Sequence, residues 1–478
     1  MVSLCDQTAV ALRAAIGKGE ISPVELLDSC LARIAQVNPR LNAVVSLDAA
    51  AARQAAQAAE AAVRRGDELG ALHGLPIGIK DLNETKGFRT TFGSPLFAEF
   101  VPDFDCAPVA NIRAAGAIVT AKTNTPEFGA GANTNNAVFG FTGNPFDPDK
   151  TCAGSSGGSA VALATGMLPL CNGSDLGGSL RTPAAFSGVV GLRPTPGVVV
   201  DDTRGLLFNP LPVEGPMGRS VADTALLLSA LVSEDRRDPL NKLIGAAALR
   251  DLQPVDLSRL KVAFSEDLGF APMDNDLRRI FRERVGYFAA SFAESRWQDP
   301  EMGEDAHRTF EVLRAVGFLA AHLDKFRNHA DKVGPNVSAN VKLGMSYSAE
   351  DVAWASAQHS QIFARFIDFM DDVDLLILPT ASASPFGKDF SYPAEINGKP
   401  LETYIQWVAI AYGVTLTGHP ALSLPCGLDH KGMPFGIQLV GRRHGEAQLF
   451  AAALALEGEL ARLPGCARPL PDLARLGA

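Results

Sequence analysis

Two clusters of serine ringed by glycine, Gly154-Ser155-Ser156-Gly157-Gly158-Ser159 and Gly177-Gly178-Ser179, constrain this chain more than any other feature. Glycine lacks the Cβ that keeps a backbone away from a ligand, so serine in such company suits a chain that must approach a substrate closely. The run between the clusters reads as a helix and then a strand. Two clusters so close together read as one built site.

Four readings compete for the first cluster. It can be a plain turn. It can cradle a phosphate, since glycine-rich backbone ahead of a helix binds anions. A P-loop closes on Gly-Lys-Ser/Thr, however, and Gly158-Ser159-Ala160 stands in that place. It can be a nucleophile elbow, because Gly154-Ser155-Ser156-Gly157-Gly158 formally matches G-x-S-x-G around Ser156. The elbow needs a strand running into it, and the preceding Asn144-Pro145-Phe146-Asp147-Pro148-Asp149-Lys150 is broken by prolines. It also needs a histidine base. His307, His322, His329 and His359 fall within helical patterns, which leaves His419, ahead of Pro420, as the open candidate. The fourth reading draws on the rest of the chain.

Ser22-Pro23-Val24-Glu25 predicts a capped helix start with proline at the first position. Residues 49–65 are rich in alanine, the strongest helix former. Leu75-Pro76-Ile77-Gly78-Ile79-Lys80-Asp81 alternates as a strand, with the apolar residues on one face and Gly78 beside Lys80 on the other, where the bare glycine leaves the lysine room. Further strands are expected at 117–121, 168–171, 262–264, 375–378, 422–425 and 437–440, and helices at 109–115, 159–165, 221–231 and 276–290. That alternation predicts an α/β protein with helices covering a sheet. No repeat or low-complexity linker marks a boundary, so 1–478 reads as a single domain. Within it, N-terminal helices run to about residue 66 and a core spans about 70–232; a helical insertion or layer covers about 300–372, and the core resumes over about 373–478.

Several ordered pieces resemble the amidase signature family of serine hydrolases: Gly74-Leu75-Pro76-Ile77-Gly78-Ile79-Lys80-Asp81, Lys122-Thr123-Asn124-Thr125-Pro126-Glu127-Phe128, the serine-rich block, Gly215-Pro216-Met217-Gly218-Arg219-Ser220, and Gly418-His419-Pro420-Ala421-Leu422-Ser423-Leu424-Pro425. The resemblance implies the amidase signature fold, a central mixed, mostly parallel β-sheet covered by helices on both faces. It implies Ser179 as nucleophile, Ser155 as a second serine preceded by a cis peptide bond, and Lys80 as base. Ala153 stands for the usual glycine, Leu176 for threonine or isoleucine and Ser187 for cysteine; none of these carries a reacting group.

The chemistry sets conditions on that triad. A serine hydroxyl needs a neighbouring base to take its proton as it attacks. An ordinary lysine, with a pKa of about 10.4, is neutral in only about one molecule in 10³ near neutrality. Burial disfavours the ammonium form, so Lys80 is expected to be desolvated and to touch few carboxylates, with Asp81 on the opposite face. Ser155 then relays the proton between Lys80 and Ser179 and delivers it to the leaving nitrogen. Backbone N–H groups of Leu176, Gly177 and Gly178 are expected to hold the oxyanion. Asp175 and Arg181 flank that turn, either bracing it or pairing in solvent.

The segment Tyr404-Ile405-Gln406-Trp407-Val408-Ala409-Ile410-Ala411-Tyr412-Gly413 is aromatic and uncharged. The resemblance implies that it lines the substrate cleft, with Tyr404 and Trp407 as pocket residues and an apolar or aryl acyl group as ligand; the alternative is that both rings pack the core. Amide, ester and carbamate carbonyls pass through similar intermediates, so carbamate hydrolase and aryl acylamidase or esterase stand as alternatives. A glutamine amidotransferase of the A type or a non-catalytic binding protein fits less well. A net charge of −10 without a basic stripe argues against nucleic acid or an anionic membrane as partner. No apolar run approaches the length of a membrane span, and the N-terminus lacks a basic n-region. Seven cysteines scattered singly suit a reducing, cytoplasmic setting. Without HExxH or paired cysteines, neither metal nor cofactor is expected. The expected partner is a small-molecule amide or carbamate, bound by a monomer or homodimer.

Overall fold

Ser22 opens the first long helix, Pro23–Leu41, by accepting from the Val24 amide while Glu25 reaches back to the Ser22 amide at 2.9 Å, the reciprocal cap its sequence predicts. The alanine-rich helix follows over Ala49–Arg65 and ends on Gly66 in a left-handed conformation. The computed structural model describes residues 3–477. Among them an eleven-stranded sheet organises the chain. Its strands in chain order are β1 (Val44–Leu47), β2 (Pro76–Lys80), β3 (Ile118–Thr123), β4 (Leu170–Asp175), β5 (Val190–Arg193), β6 (Val213–Gly218), β7 (Lys261–Phe264), β8 (Glu294–Trp297), β9 (Leu375–Pro379), β10 (Ala421–Leu428) and β11 (Pro434–Val440).

In space the order is β1-β3-β2-β4-β6-β5-β10-β11-β9-β7-β8. The sheet is mixed, as expected, but the expectation of a mostly parallel sheet is corrected. Strands run parallel across β3-β2-β4 and across β9-β7-β8, and antiparallel at the other six junctions. Every residue of β2, β3, β5, β6, β9 and β11 is buried, which requires cover on both faces of the sheet. That cover is helical: Gly157–Ala164 is buried along its whole length, and Arg181–Ser187 packs on β10 and β11. The interval 306–371 holds three helices, Ala306–Asn328, Pro335–Ser346 and Ala349–Asp371, packed on one another. Among the described residues no helix is long and apolar enough to cross a membrane.

Gly78 does not leave space beside Lys80. A Cβ there would sit 2.8 Å from Leu168 Cδ1 and 2.9 Å from Cys171 Sγ, so the glycine is needed for close packing beneath the site.

Candidate active site

Lys80 ends β2, fully buried, and its backbone N–H donates to Asn172 Oδ1 at 2.8 Å, which ties the end of β2 to β4. Its Nζ meets three serine hydroxyls: Ser155 at 2.6 Å, Ser156 at 2.9 Å and Ser174 at 2.9 Å. No carboxylate comes within ion-pair distance of it among the described residues. Burial holds the amine down to about 7, opposed by the more remote Glu214 and Asp175. Asp81 lies on the other side, accepting from the Thr91 hydroxyl and amide and facing Lys122 at 3.9 Å.

The first serine cluster supplies Ser155 from the loop and Ser156 from the N-cap of the helix Gly157–Ala164. The peptide bond between Gly154 and Ser155 is cis. The second cluster follows β4 directly. Ser179 is half-buried, and its carbonyl accepts from the Ser156 amide at 3.2 Å, which fastens the two clusters to each other. Both Ser155 and Ser179 face a cavity of about 550 Å³.

Asp175 sets the shape of the turn that carries Ser179. Its carboxylate accepts from the amides of Gly178 at 2.9 Å and Leu180 at 3.1 Å, and from Arg181 at 3.1 and 3.0 Å. Arg193 lies 3.5 Å away. Burial alone would raise this carboxyl, but the two guanidinium groups overrule it and hold it well below the usual range. Asp175 and Arg181 are therefore a buried brace and not a solvated pair. The same bond corrects one expected oxyanion donor: Gly178 takes the positive φ of 112° that the turn needs, but its N–H is spent on Asp175. The amides of Leu176, Gly177 and Ser179 have no acceptor within the chain among the described residues.

Tyr404 lines the cavity, its hydroxyl bonded to Arg314 and, at 3.0 Å, to Asn340 Nδ2. Trp407 does not. Its ring is fully buried between Phe186 and Phe386, at 5.9 and 5.4 Å, so the pocket role is corrected to a core role. The apolar wall comes from segments that the sequence did not single out for it. Phe92, Phe97 and Phe128 form a cluster with centroids 5.1 to 6.2 Å apart, and Phe310 and Phe318 descend from the helix Ala306–Asn328. Ser174 and Glu214 were also missed; Glu214 is the lone polar residue of a buried strand, a signal that could have found it, whereas Ser174 shares its strand with Asn172 and Asp175 and has no such signal.

The elbow reading finds no support. His419 is buried against Phe366, hydrogen-bonded to the Thr417 carbonyl at 2.8 Å, and pushed by burial down to about 4. Among the described residues no histidine contacts Ser156, whose hydroxyl is held by Lys80 and by the backbone of Ser174.

The site thus sets a buried amine against the Ser155 hydroxyl, with Ser155 and Ser179 lining the same cavity. Residues 25–450 match the Amidase family, and the chain belongs to it. It is an enzyme of the amidase signature class, acting on carbon–nitrogen amide bonds. An acylamidase of Rhodococcus erythropolis is 30% identical, over 94% of each chain. The A-type component of the glutamyl-tRNA(Gln) amidotransferase of Thermosynechococcus vestitus is 33% identical over 92% of this chain and 95% of its own. Among solved structures, a bacterial aryl acylamidase superposes with a TM-score of 0.86 at 26% identity, covering 95% of this chain and 96% of that one. A 6-aminohexanoate cyclic dimer hydrolase superposes at 0.85 and 26%, covering 99% and 100%.

Proposed function

We propose that this amidase hydrolyses small-molecule amides bearing apolar or aryl groups, through an acyl-enzyme on Ser179. The observation that carries the reading is the 2.6 Å contact of a buried, proton-poor Lys80 amine with Ser155. A neutral amine offers one lone pair, and the nearest hydroxyl, Ser155, donates into it. Ser179 attacks the carbonyl carbon as its proton passes to Ser155 Oγ and the Ser155 proton passes to Lys80 Nζ. The carbonyl oxygen gains the negative charge and is met by the free amides of Leu176, Gly177 and Ser179; each such donor is worth about 2.7–4 kcal/mol in the barrier. Collapse of the intermediate breaks the C–N bond, and the proton returns through Ser155 to the leaving nitrogen. Water then repeats the sequence in place of the amine and releases the acid.

The cluster of Phe92, Phe97 and Phe128 supports aryl and apolar substrates, as the name of the structurally similar bacterial aryl acylamidase does for aryl ones. A carbamate would pass through the same steps. Kinship at 33% with the A-type component of an amidotransferase favours one further reading, a glutaminase working within a complex.

A panel of anilides, aliphatic amides, esters, aryl carbamates and glutamine separates these. Anilides are expected to be turned over best, Ser179→Ala to lose at least about 10⁴-fold in kcat, and a fluorophosphonate to label the peptide holding Ser179. Label on Ser156, or an active Ser179→Ala, would refute the mechanism; turnover of glutamine alone would move the substrate to the amidotransferase reading.

A further inference from the structure

The cavity lining is of two chemical kinds. One is the aromatic cluster around Phe128; the other, besides the braced Asp175, is a group of three carboxyls, those of Glu84, Asp201 and Glu214, close enough to act on one another. Glu214 lies on β6 directly across from Ser174 of β4, and cross-strand partners project from the same face. Its carboxyl therefore stands beside the hydroxyl that Lys80 Nζ holds at 2.9 Å. Glu214 is 8% exposed and lines the cavity, and its Oε2 has no hydrogen-bond partner among the described residues. Glu84 Oε2 is buried and unpartnered in the same way.

An unpaired carboxyl oxygen is costly to bury, so its presence in a cavity marks a place where a donor belongs. The protein does not supply that donor. Arg204 also lines the cavity, but its guanidinium is divided between Asp201 at 3.3 Å and Asp238 at 2.7 Å. The three carboxyls do not converge as metal ligands. Burial, and then Asp201, push the Glu214 carboxyl up to about 8, against the opposing pull of Lys80 and of a hydrogen bond from Asn83.

We infer that this acidic cluster recognises a primary ammonium group, so that the preferred substrates are amides with an aryl or apolar group on one side of the scissile bond and a charged amine on the other. An ammonium presents three donors on a compact cation, matched to the open oxygens of Glu214 and Glu84 and to the Asp201 carboxylate. The scissile bond rests on the proposed function; the ammonium recognition does not. A hydrogen bond between charged partners adds about 10- to 100-fold in affinity.

Two isosteric pairs test this: N-(2-aminoethyl)benzamide against N-propylbenzamide, and 4-aminobutyranilide against pentananilide. Each pair exchanges ammonium for methyl, one on the amine side and one on the acyl side. The ratio of kcat/KM within a pair cancels whatever a substitution does to Lys80. In the wild type that ratio is expected to reach about 10 or more in one pair, and to fall about tenfold in Glu214→Gln. A ratio at or below one in both pairs, or one that Glu214→Gln leaves unmoved, overturns the inference. Calorimetry on Ser179→Ala reads recognition without turnover. Tighter binding of the ammonium member, lost in the Ser179→Ala, Glu214→Gln double variant, upholds the inference even if the wild type hydrolyses neither compound, a result that would refute the proposed function alone. Equal binding of both members overturns the inference and leaves the proposed function standing.

Discussion

Lys80 works only when its amine is free, so a titration of kcat/KM between pH 5 and pH 9 probes the mechanism directly. Burial brings the amine from 10.5 to about 7. With that pKa, about nine-tenths of the molecules hold the free base at pH 8 and about one-hundredth do at pH 5, so kcat/KM should fall about 90-fold across that interval. The direction follows from the role: activity is full above about 7 and lost as pH falls through it. A lysine left at its ordinary value would give a rate climbing tenfold per pH unit through the whole window. The assay is the initial rate of hydrolysis of an uncharged anilide at constant ionic strength, with circular dichroism at each pH to show that the fold persists. Lys80→Met should lower kcat/KM at pH 8 by about 10²–10⁴, the usual worth of a general base, and should erase the inflection near neutrality. A wild-type rate still rising tenfold per unit at pH 9 refutes the lowered pKa of the amine, and an inflection that survives in Lys80→Met refutes the assignment of Lys80 as base.

Removing the ring of Phe128 opens the aromatic wall that it shares with Phe92 and Phe97; Phe128→Ala should raise KM for anilides about tenfold and change KM for a short aliphatic amide little, as steady-state kinetics on both would show. Asp175→Ala would leave Arg181 and Arg193 buried without their counter-ion, so denaturant unfolding should show a loss of about 3–5 kcal/mol. An unchanged midpoint would mean that the two guanidinium groups find other partners.

The parts of this protein that the sequence disclosed are those whose chemistry is local. Lys80, Ser155 and Ser179 announce themselves through their neighbours; Ser155 and Ser179 line one cavity, and Lys80 lies buried behind Ser155. The strands at 261–264 and 375–379 were legible because their apolar residues are contiguous, and those at 118–123 and 434–440 because β-branched and other apolar residues crowd around Thr120 or Gln438. The strand at 213–218 was not, because Val213-Glu214-Gly215-Pro216-Met217-Gly218 looks like a loop. Its proline is tolerated since β5 pairs only with Met217 and Gly218, leaving Pro216 outside the doubly paired part. Missing β1, β5 and β6 hid four of the six antiparallel junctions, and the sheet was expected to be mostly parallel for that reason. Trp407 and Gly178 failed for a different cause. An aromatic run does not say which ring faces a cavity, and a glycine turn does not say which amide a distant carboxylate has already taken. Both depend on contacts made across the fold.

The hold of Asp175 and Arg181 on the nucleophile's turn reaches far along the chain. Arg181 also donates to the carbonyl of Ala411 at 2.8 Å and to Gln438 at 3.0 Å, residues made long after the serines. A polypeptide still emerging from the ribosome can carry Lys80, Ser155 and Ser179 and yet lack the far anchor that locks them in place. The brace on the Ser179 turn is thereby deferred until the segment carrying Ala411 and Gln438 has been made and has docked.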